Sequence, residues 1–214
     1  MLSATYQMAA VENDAYRQQD PQNELLWTFN RRRLSAEEVR DGMLFVSGAL
    51  DRSPGGPHPF KPELNWRYSQ HNPFVDDFPT NRRTVYLMQQ RIRLQPFLAT
   101  FDGADTNAVT GQRRQDTPPQ QALFMMNSAF AHEQAATLAD RLAKEAASPD
   151  ERIRRAYAMV LGRPATDEEA SEGASYVASV SDPMKQAGQK DADRAAWASY
   201  LRVLMSSNEF VFVE

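Results

Sequence analysis

Cysteine is absent from the 214 residues, which excludes disulfides, thiolate metal ligation, thiol nucleophiles and a covalently attached c-type haem within the chain. Histidine is scarce. His58, His71 and His132 are the three present, and none stands in an H-x-x-x-H or H-x-x-E relation that would place two ligands on one helix face. Lysine supplies only 4 of the 24 basic residues, against 20 arginines. No apolar run nears the roughly 18 residues of a membrane-spanning helix, and the first ten residues lack the charged-then-apolar layout of a signal peptide. The G-x-S-x-G, P-loop and G-x-G-x-x-G patterns are missing too, and Pro54-Gly55-Gly56-Pro57 lacks the Lys-Ser/Thr of a phosphate cradle. Serine catalysis and nucleotide binding therefore lose their usual signatures.

What is present is an ordinary globular balance, with 42% apolar residues and a net charge of −4. Residues 1–114 carry 14 basic and 13 acidic groups, and residues 115–214 carry 10 and 15. A near-neutral, arginine-rich part thus precedes an acidic one, which suits mutual docking of the two. It is not the basic footprint of a nucleic-acid binder, and no nucleic-acid partner is expected.

Helix starts are written four times as Ser or Thr followed three residues later by Glu or Gln: Ser35/Glu38, Thr117/Gln120, Ser148/Glu151 and Thr166/Glu169. Leu34 and Val39 add a hydrophobic staple to the first, and Pro118 and Pro149 stand at N1 of the second and third. Val39, Met43, Val46 and Leu50 then predict a helix over about 36–50, ended by the Pro54–Pro57 cluster. Residues 52–82 hold six of the 13 prolines without any period, which predicts a long, largely irregular segment, a kind of loop that often carries function. Val85-Tyr86-Leu87-Met88 could be a short strand or the opening of a helix running to Arg93, with helix or irregular structure preferred. Phe97, Leu98 and Phe101 predict one helical turn before the turn at Asp102 and Asp105.

From residue 118 onward helices follow one another. The first carries Leu123 and Met126 and is divided from the next at Asn127-Ser128, since both residues favour caps. Phe130, Leu138 and Leu142 follow, then Ile153, Tyr157, Val160 and Leu161 as far as Gly162-Arg163-Pro164. Another helix starts at Thr166, a last one near Asp191 presents Trp197, Tyr200, Leu201 and Leu204, and the apolar tail Phe210–Val213 docks on the core. The expected fold is mostly α: a single domain over 1–214, with a loop-rich, arginine-containing part at 1–114 and a helical bundle at 115–214.

His58 and His71 share the proline-rich loop with Asp76-Asp77, a His/Asp set that could ligate a metal, yet nothing else supports one and no metal is expected. His132 reads as a surface or semi-buried helix histidine. Asp102 and Asp105 lack the order of a calcium loop and read as an Asx-type turn. The candidate binding residues are Arg31, Arg32, Arg82, Arg83, His71, Asp76 and Asp77. With Trp66, Phe74 and Tyr86 nearby, the arginines could line a groove for an anionic polymer through charge and stacking. Alternatively they pair with the 13 acids of the same part and fix loops that lack regular ladders; the near-zero charge favours this structural use.

Read in order, Ser3-Ala4-Thr5-Tyr6, Asp20-Pro21-Gln22-Asn23-Glu24-Leu25-Leu26-Trp27, Arg31-Arg32-Arg33-Leu34, Arg40-Asp41, Val46-Ser47-Gly48-Ala49-Leu50, Gly55-Gly56-Pro57, Arg82-Arg83, Tyr86-Leu87, Phe101-Asp102, Thr117–Leu123, Leu161-Gly162-Arg163-Pro164 and Ser207-Asn208-Glu209-Phe210 resemble the C-terminal domain of unknown function of large secreted planctomycete proteins. The resemblance implies a longer, exported parent with a signal peptide, often a c-type cytochrome module, and a second domain upstream. It implies a periplasmic or extracellular location, the upstream domain as partner, and haem only in that upstream region, with no cofactor in this chain. It supplies no catalytic residues. Two functions are compatible with it. One is a non-catalytic helical scaffold or binding module, linked to polysaccharide breakdown or redox modules and with a carbohydrate as candidate ligand. The other is part of an enzyme active site, in which Arg31, Arg32, Arg82, Asp76, Asp77 and His71 converge on a substrate held partly by the upstream domain.

Overall fold

The computed structural model describes residues 3–8, 10–57, 60, 62–71, 78–109, 111–113 and 119–213. It is mostly helical. A short helix α1 (Asp14–Gln19) begins where the Asn13 side chain accepts from the backbone N–H of Ala15 and Tyr16. The arginine triplet follows, with Arg32–Arg33 forming a two-residue strand, β1. Helix α2 (Ala36–Ser47) starts at the predicted box: Ser35 Oγ accepts from the N–H of Glu38, and the Glu38 carboxylate accepts from the N–H of Ser35.

Helix α2 stops earlier than its apolar spacing predicts. Gly48 adopts φ +84°, the left-handed C-cap conformation, which glycine enters without a Cβ penalty. The chain then folds back so that the Leu50 N–H donates to the Leu44 carbonyl at 3.0 Å. Gly48, not the proline cluster, ends the helix.

Between α2 and residue 95 the described residues are irregular, apart from 3-10 turns at Glu63–Asn65 and Thr84–Tyr86. The helix considered as far as Arg93 is therefore absent: one 3-10 turn and an isolated Gln90–Arg93 bridge take its place. A single helical turn, α3 (Pro96–Thr100), then leads into the main helices: α4 (Pro119–Asn127), α5 (Ala129–Glu145), α6 (Pro149–Val160), α7 (Asp167–Gln186), α8 (Ala192–Met205) and α9 (Asn208–Val211). Ser128 divides α4 from α5 by accepting from the N–H of Ala131, and Ser148 caps α6 by accepting from that of Glu151. The Thr166/Glu169 box at the start of α7 is complete. Gly162, at φ +72°, turns the chain after α6. The Thr117/Gln120 box and Pro118 lie outside the described residues.

Helix α5 occupies the centre, packed against α8 on one side and α2 on the other, while α7 covers α8. Its inward residues, Ala131, Ala135, Leu138, Ala139 and Leu142, are nearly inaccessible to solvent, and the small side chains among them let neighbouring helices come close. Gly173 serves the same end on α7, because a Cβ there would stand 2.5 Å from the Tyr200 hydroxyl on α8. One hydrophobic cluster runs from Val39 and Met43 on α2, through Phe97 and Phe101, to Ile153 and Leu201 in the later helices. The tail docks as its composition predicts: Phe210 is buried, and Phe212–Val213 forms a strand, β2, antiparallel to β1, with Arg32 opposite Val213 and Arg33 opposite Phe212.

Candidate binding surface and its arginine anchors

The three adjacent arginines have three different environments: Arg32 and Arg33 point to opposite faces of β1, as successive strand residues do, and Arg31 precedes the strand. Arg31 lays its guanidinium over the Phe212 ring, 5.1 Å from the centroid. Arg32 makes a two-bonded contact with Glu38, at 3.1 and 3.0 Å, and so reinforces the capping box. Arg33 is buried. It donates to Asp102 Oδ2 at 3.1 Å and to Gln121 Oε1 at 2.6 Å, and its guanidinium lies over Phe101. Gln121 completes the knot by donating to the carbonyl of Thr100.

A second knot joins α2 to the loop before α3. Arg40, also buried, donates to the carbonyls of Thr80 and Arg82 and to the Thr84 hydroxyl. Asp41 accepts from both the N–H and the hydroxyl of Thr84. Arg83 sits 3.8 Å from Asp41, and Arg82 lies 3.5 Å from Asp51. A third knot ties the α6–α7 turn to the tail, since Arg163 bonds both carboxylate oxygens of Glu169 and the carboxylate of Glu209, above the Tyr157 ring.

These pairings set the titration of their acids. Hydrogen bonding from Arg32, aided by Ser35 and opposed by partial burial, pulls the Glu38 carboxyl down to about 2 from its ordinary 4.5. Arg163, with the Thr166 backbone, holds Glu169 at about 2, and the two glutamates in turn raise Arg163. A carboxyl depressed in the folded state stabilises the fold above its unfolded pKa, and that contribution fades as pH falls toward the folded value. We therefore expect the melting temperature to drop as pH falls from about 4.5 to about 2. A Glu38→Gln/Glu169→Gln variant should show a shallower drop in the same titration. Both sites are substantially exposed, so the effect is modest.

The candidate residues do not gather at one point. Arg31, Arg32, Arg82 and Arg83 take separate partners, and His71 is exposed. Asp76, Asp77 and His58 lie outside the described residues, as does Phe74. The expected turn is divided: Asp105 makes the Asx contact with the N–H of Asn107 at 2.8 Å, whereas Asp102, at φ +60°, turns its carboxylate to Arg33 and Gln121. Arg40, Gln121, Arg163 and Glu209 carry the knots without having been singled out. Apart from Glu169, six residues from Arg163, their hydrogen-bond partners in the knots lie 19 or more residues away, and only the motifs containing them marked them.

Among the open grooves that border these anchors, two lie beside α2 and α1. The larger, about 780 Å³, lies between α2 and residues 83–89. Its floor is Leu34, Phe45, Leu50, Val85 and Leu87, and its rim acids Glu37, Glu38 and Asp41 are each met by an arginine: Arg113, Arg32 and Arg83. The smaller, about 420 Å³, lies beside α1 and is lined by Glu12, Arg17, Gln22, Trp27, Asn30 and Arg31, among others. The loop around it is closely stitched. Asp20 accepts from the N–H of Glu24 and Leu25, Trp27 Nε1 donates to the Asp20 carbonyl, and Asn23 exchanges bonds with the Thr28 backbone and donates to Asn30 Oδ1.

Among the described residues no group of three or more His, Cys, Asp or Glu is placed to hold a metal ion, and no helix is long and apolar enough to cross a membrane. No curated protein and no solved structure matches the chain. A family profile does match, over residues 1–177, which takes in the Arg33 and Arg40 knots together with the Arg163 side of the third. The chain therefore belongs to the PSD1 family, described as a protein of unknown function (DUF1553).

Proposed function

We propose that the chain is a non-catalytic helical scaffold and binding module, one domain of a larger exported protein. The observation that supports this is the use made of the arginines. Residues of the type that would bind an anionic substrate are instead paired internally, at Asp102, Asp51, Asp41, Glu38, Glu37, Glu169 and Glu209. Motifs remote in sequence meet in these pairs. The Arg31–Leu34 motif reaches Phe101-Asp102 and Gln121, and Leu161–Pro164 reaches Glu209. Gly55 meets Tyr86 so closely that a Cβ there would stand 2.7 Å from the ring.

The parent in this reading is of the planctomycete type and periplasmic or extracellular. An upstream domain is the partner, any haem is confined to a cytochrome module there, and a polysaccharide is the material acted on. The test is made on the full-length parent, with metal analysis, a turnover assay on polysaccharide and the exposed His71→Ala variant. We expect no metal bound to this domain and any turnover of the parent unchanged by His71→Ala. Metal held here, or turnover lost in that variant with folding intact, would overturn the reading.

A further inference from the structure

We propose that the smaller groove, beside α1, is a binding site for a neutral saccharide, with Trp27 as its stacking wall and Gln22 and Asn30 as the amides that meet the hydroxyls. The proposal rests on the binding-module reading and gives that module a ligand class and a place.

The first argument is preorganisation. The loop from Asp20 to Arg31 is neither helix nor sheet among its described residues, yet it is fixed by two buried polar side chains, Asp20 and Asn23. The Asp20 carboxylate takes the N–H of Leu25 at 2.7 Å, and Asn23 Nδ2 donates to the Thr28 carbonyl at 2.7 Å and to Asn30 Oδ1 at 2.9 Å. Asn23 and Leu26 stand at φ +54° and +55°. A leucine held in the left-handed region persists only where its surroundings dictate it, and such positions gather at ligand sites. A rigid loop spares a ligand the entropy of ordering it.

The second argument is the chemistry of the lining. Glu12 and Arg17 stand 3.6 Å apart and offset one another, and Arg31 has its guanidinium over Phe212. Beside the small apolar patch of Val11, Pro21 and Phe29, the groups left to meet a polar ligand are the indole of Trp27 and the amides of Gln22 and Asn30. The Gln22 side chain and the Asn30 amide nitrogen make no hydrogen bond among the described residues, and both residues are exposed. An amide offers donors and an acceptor side by side, which matches neighbouring hydroxyls that both give and accept. A sugar ring adds an apolar C–H face, which suits the flat body of tryptophan. A phosphorylated ligand would need a basic cradle, and an apolar one a drier wall. The volume, about 420 Å³, falls within the roughly 300–1,000 Å³ of small-ligand sites.

The test is a calorimetric titration of the 214-residue chain with neutral β-1,4-linked hexasaccharides of glucose, xylose and mannose, alongside the hexasaccharide of galacturonic acid. Saturable binding of at least one neutral probe is expected. Gln22→Ala should weaken it by about fivefold, the loss of one net hydrogen bond, and Trp27→Ala by about tenfold, with melting curves taken for each. Gln22→Ala touches only an exposed side chain, so it keeps the test decisive if Trp27→Ala fails to fold. Absence of saturable binding to every neutral probe, equal affinity in the wild type and Gln22→Ala, or preference for the galacturonate probe would each overturn the proposal. None of these outcomes bears on the metal and turnover assays of the parent, so the scaffold reading stands or falls separately.

Discussion

Arg33→Ala is expected to lower the free energy of unfolding by about 3–4 kcal/mol, the lower part of the range for removing one partner of a buried ion pair, read as a shifted urea midpoint. The side chain is 4% exposed and its partner Asp102 20%, so the lost interaction is poorly screened by water. Removal takes the cation from the Asp102 carboxylate, which keeps the Gln121 amide, and the donor from Gln121 Oε1, and uncovers Phe101. Arg33→Lys should recover only part of the loss, because a single ammonium lacks the fork that meets two acceptors. Asp102→Asn retains a residue that tolerates the left-handed region. In the Arg33→Ala/Asp102→Asn double variant the combined loss should fall short of the sum of the single losses, as it does for residues in one network.

Arg40→Met is expected to destabilise the chain by about 3 kcal/mol, roughly one for each of three acceptors left without its donor. Methionine preserves much of the apolar stem, so the loss is that of the guanidinium: its hydrogen bonds to the Thr80 and Arg82 carbonyls and the Thr84 hydroxyl, with a smaller share from its place 3.7 Å from Asp41 and over the Phe130 ring. Two of these belong to backbone with no helix or sheet ladder to satisfy it. Hydrogen exchange should therefore accelerate around residues 80–87 more than in α5 or α8, where helical bonds persist. Equal acceleration in both regions would mean that Arg40 supports the core rather than the loop.

The helices were legible because their signals are local. The Ser35/Glu38 and Thr166/Glu169 boxes, the Ser128 and Ser148 caps and the Gly162 stop each act within four residues, and the structure shows each in use. The end of α2 at Gly48 is not legible in the spacing because Leu50 continues it across the glycine, and periodicity is blind to the backbone conformation that ends a helix. Strands of two residues have no period at all, so the β1–β2 pairing left no trace beyond an apolar tail. The knots are harder still. Arg33 and Asp102 are 69 residues apart and Arg40 and Thr84 are 44 apart, and composition indicates only that acids are available, never which one is taken. For the smaller groove, Asp20, Asn23 and Trp27 were visible as part of a motif, but their mutual bonding depends on left-handed residues that asparagine hints at and leucine does not.

The β1–β2 pairing has a consequence for the order of events during synthesis. Arg32 and Arg33 leave the ribosome nearly 180 residues before Val213 and Phe212, their strand partners. Until the tail emerges, β1 therefore has no strand edge to pair with, and Phe210, which fills part of the core, is still to come. Helices α5 to α8 can assemble from near neighbours as they emerge, whereas the fold closes only with the last residues of the tail. A chain stalled before residue 207 should therefore present the unpaired edge of β1 and the apolar surface beneath the tail to chaperones, and one whose tail has docked should not.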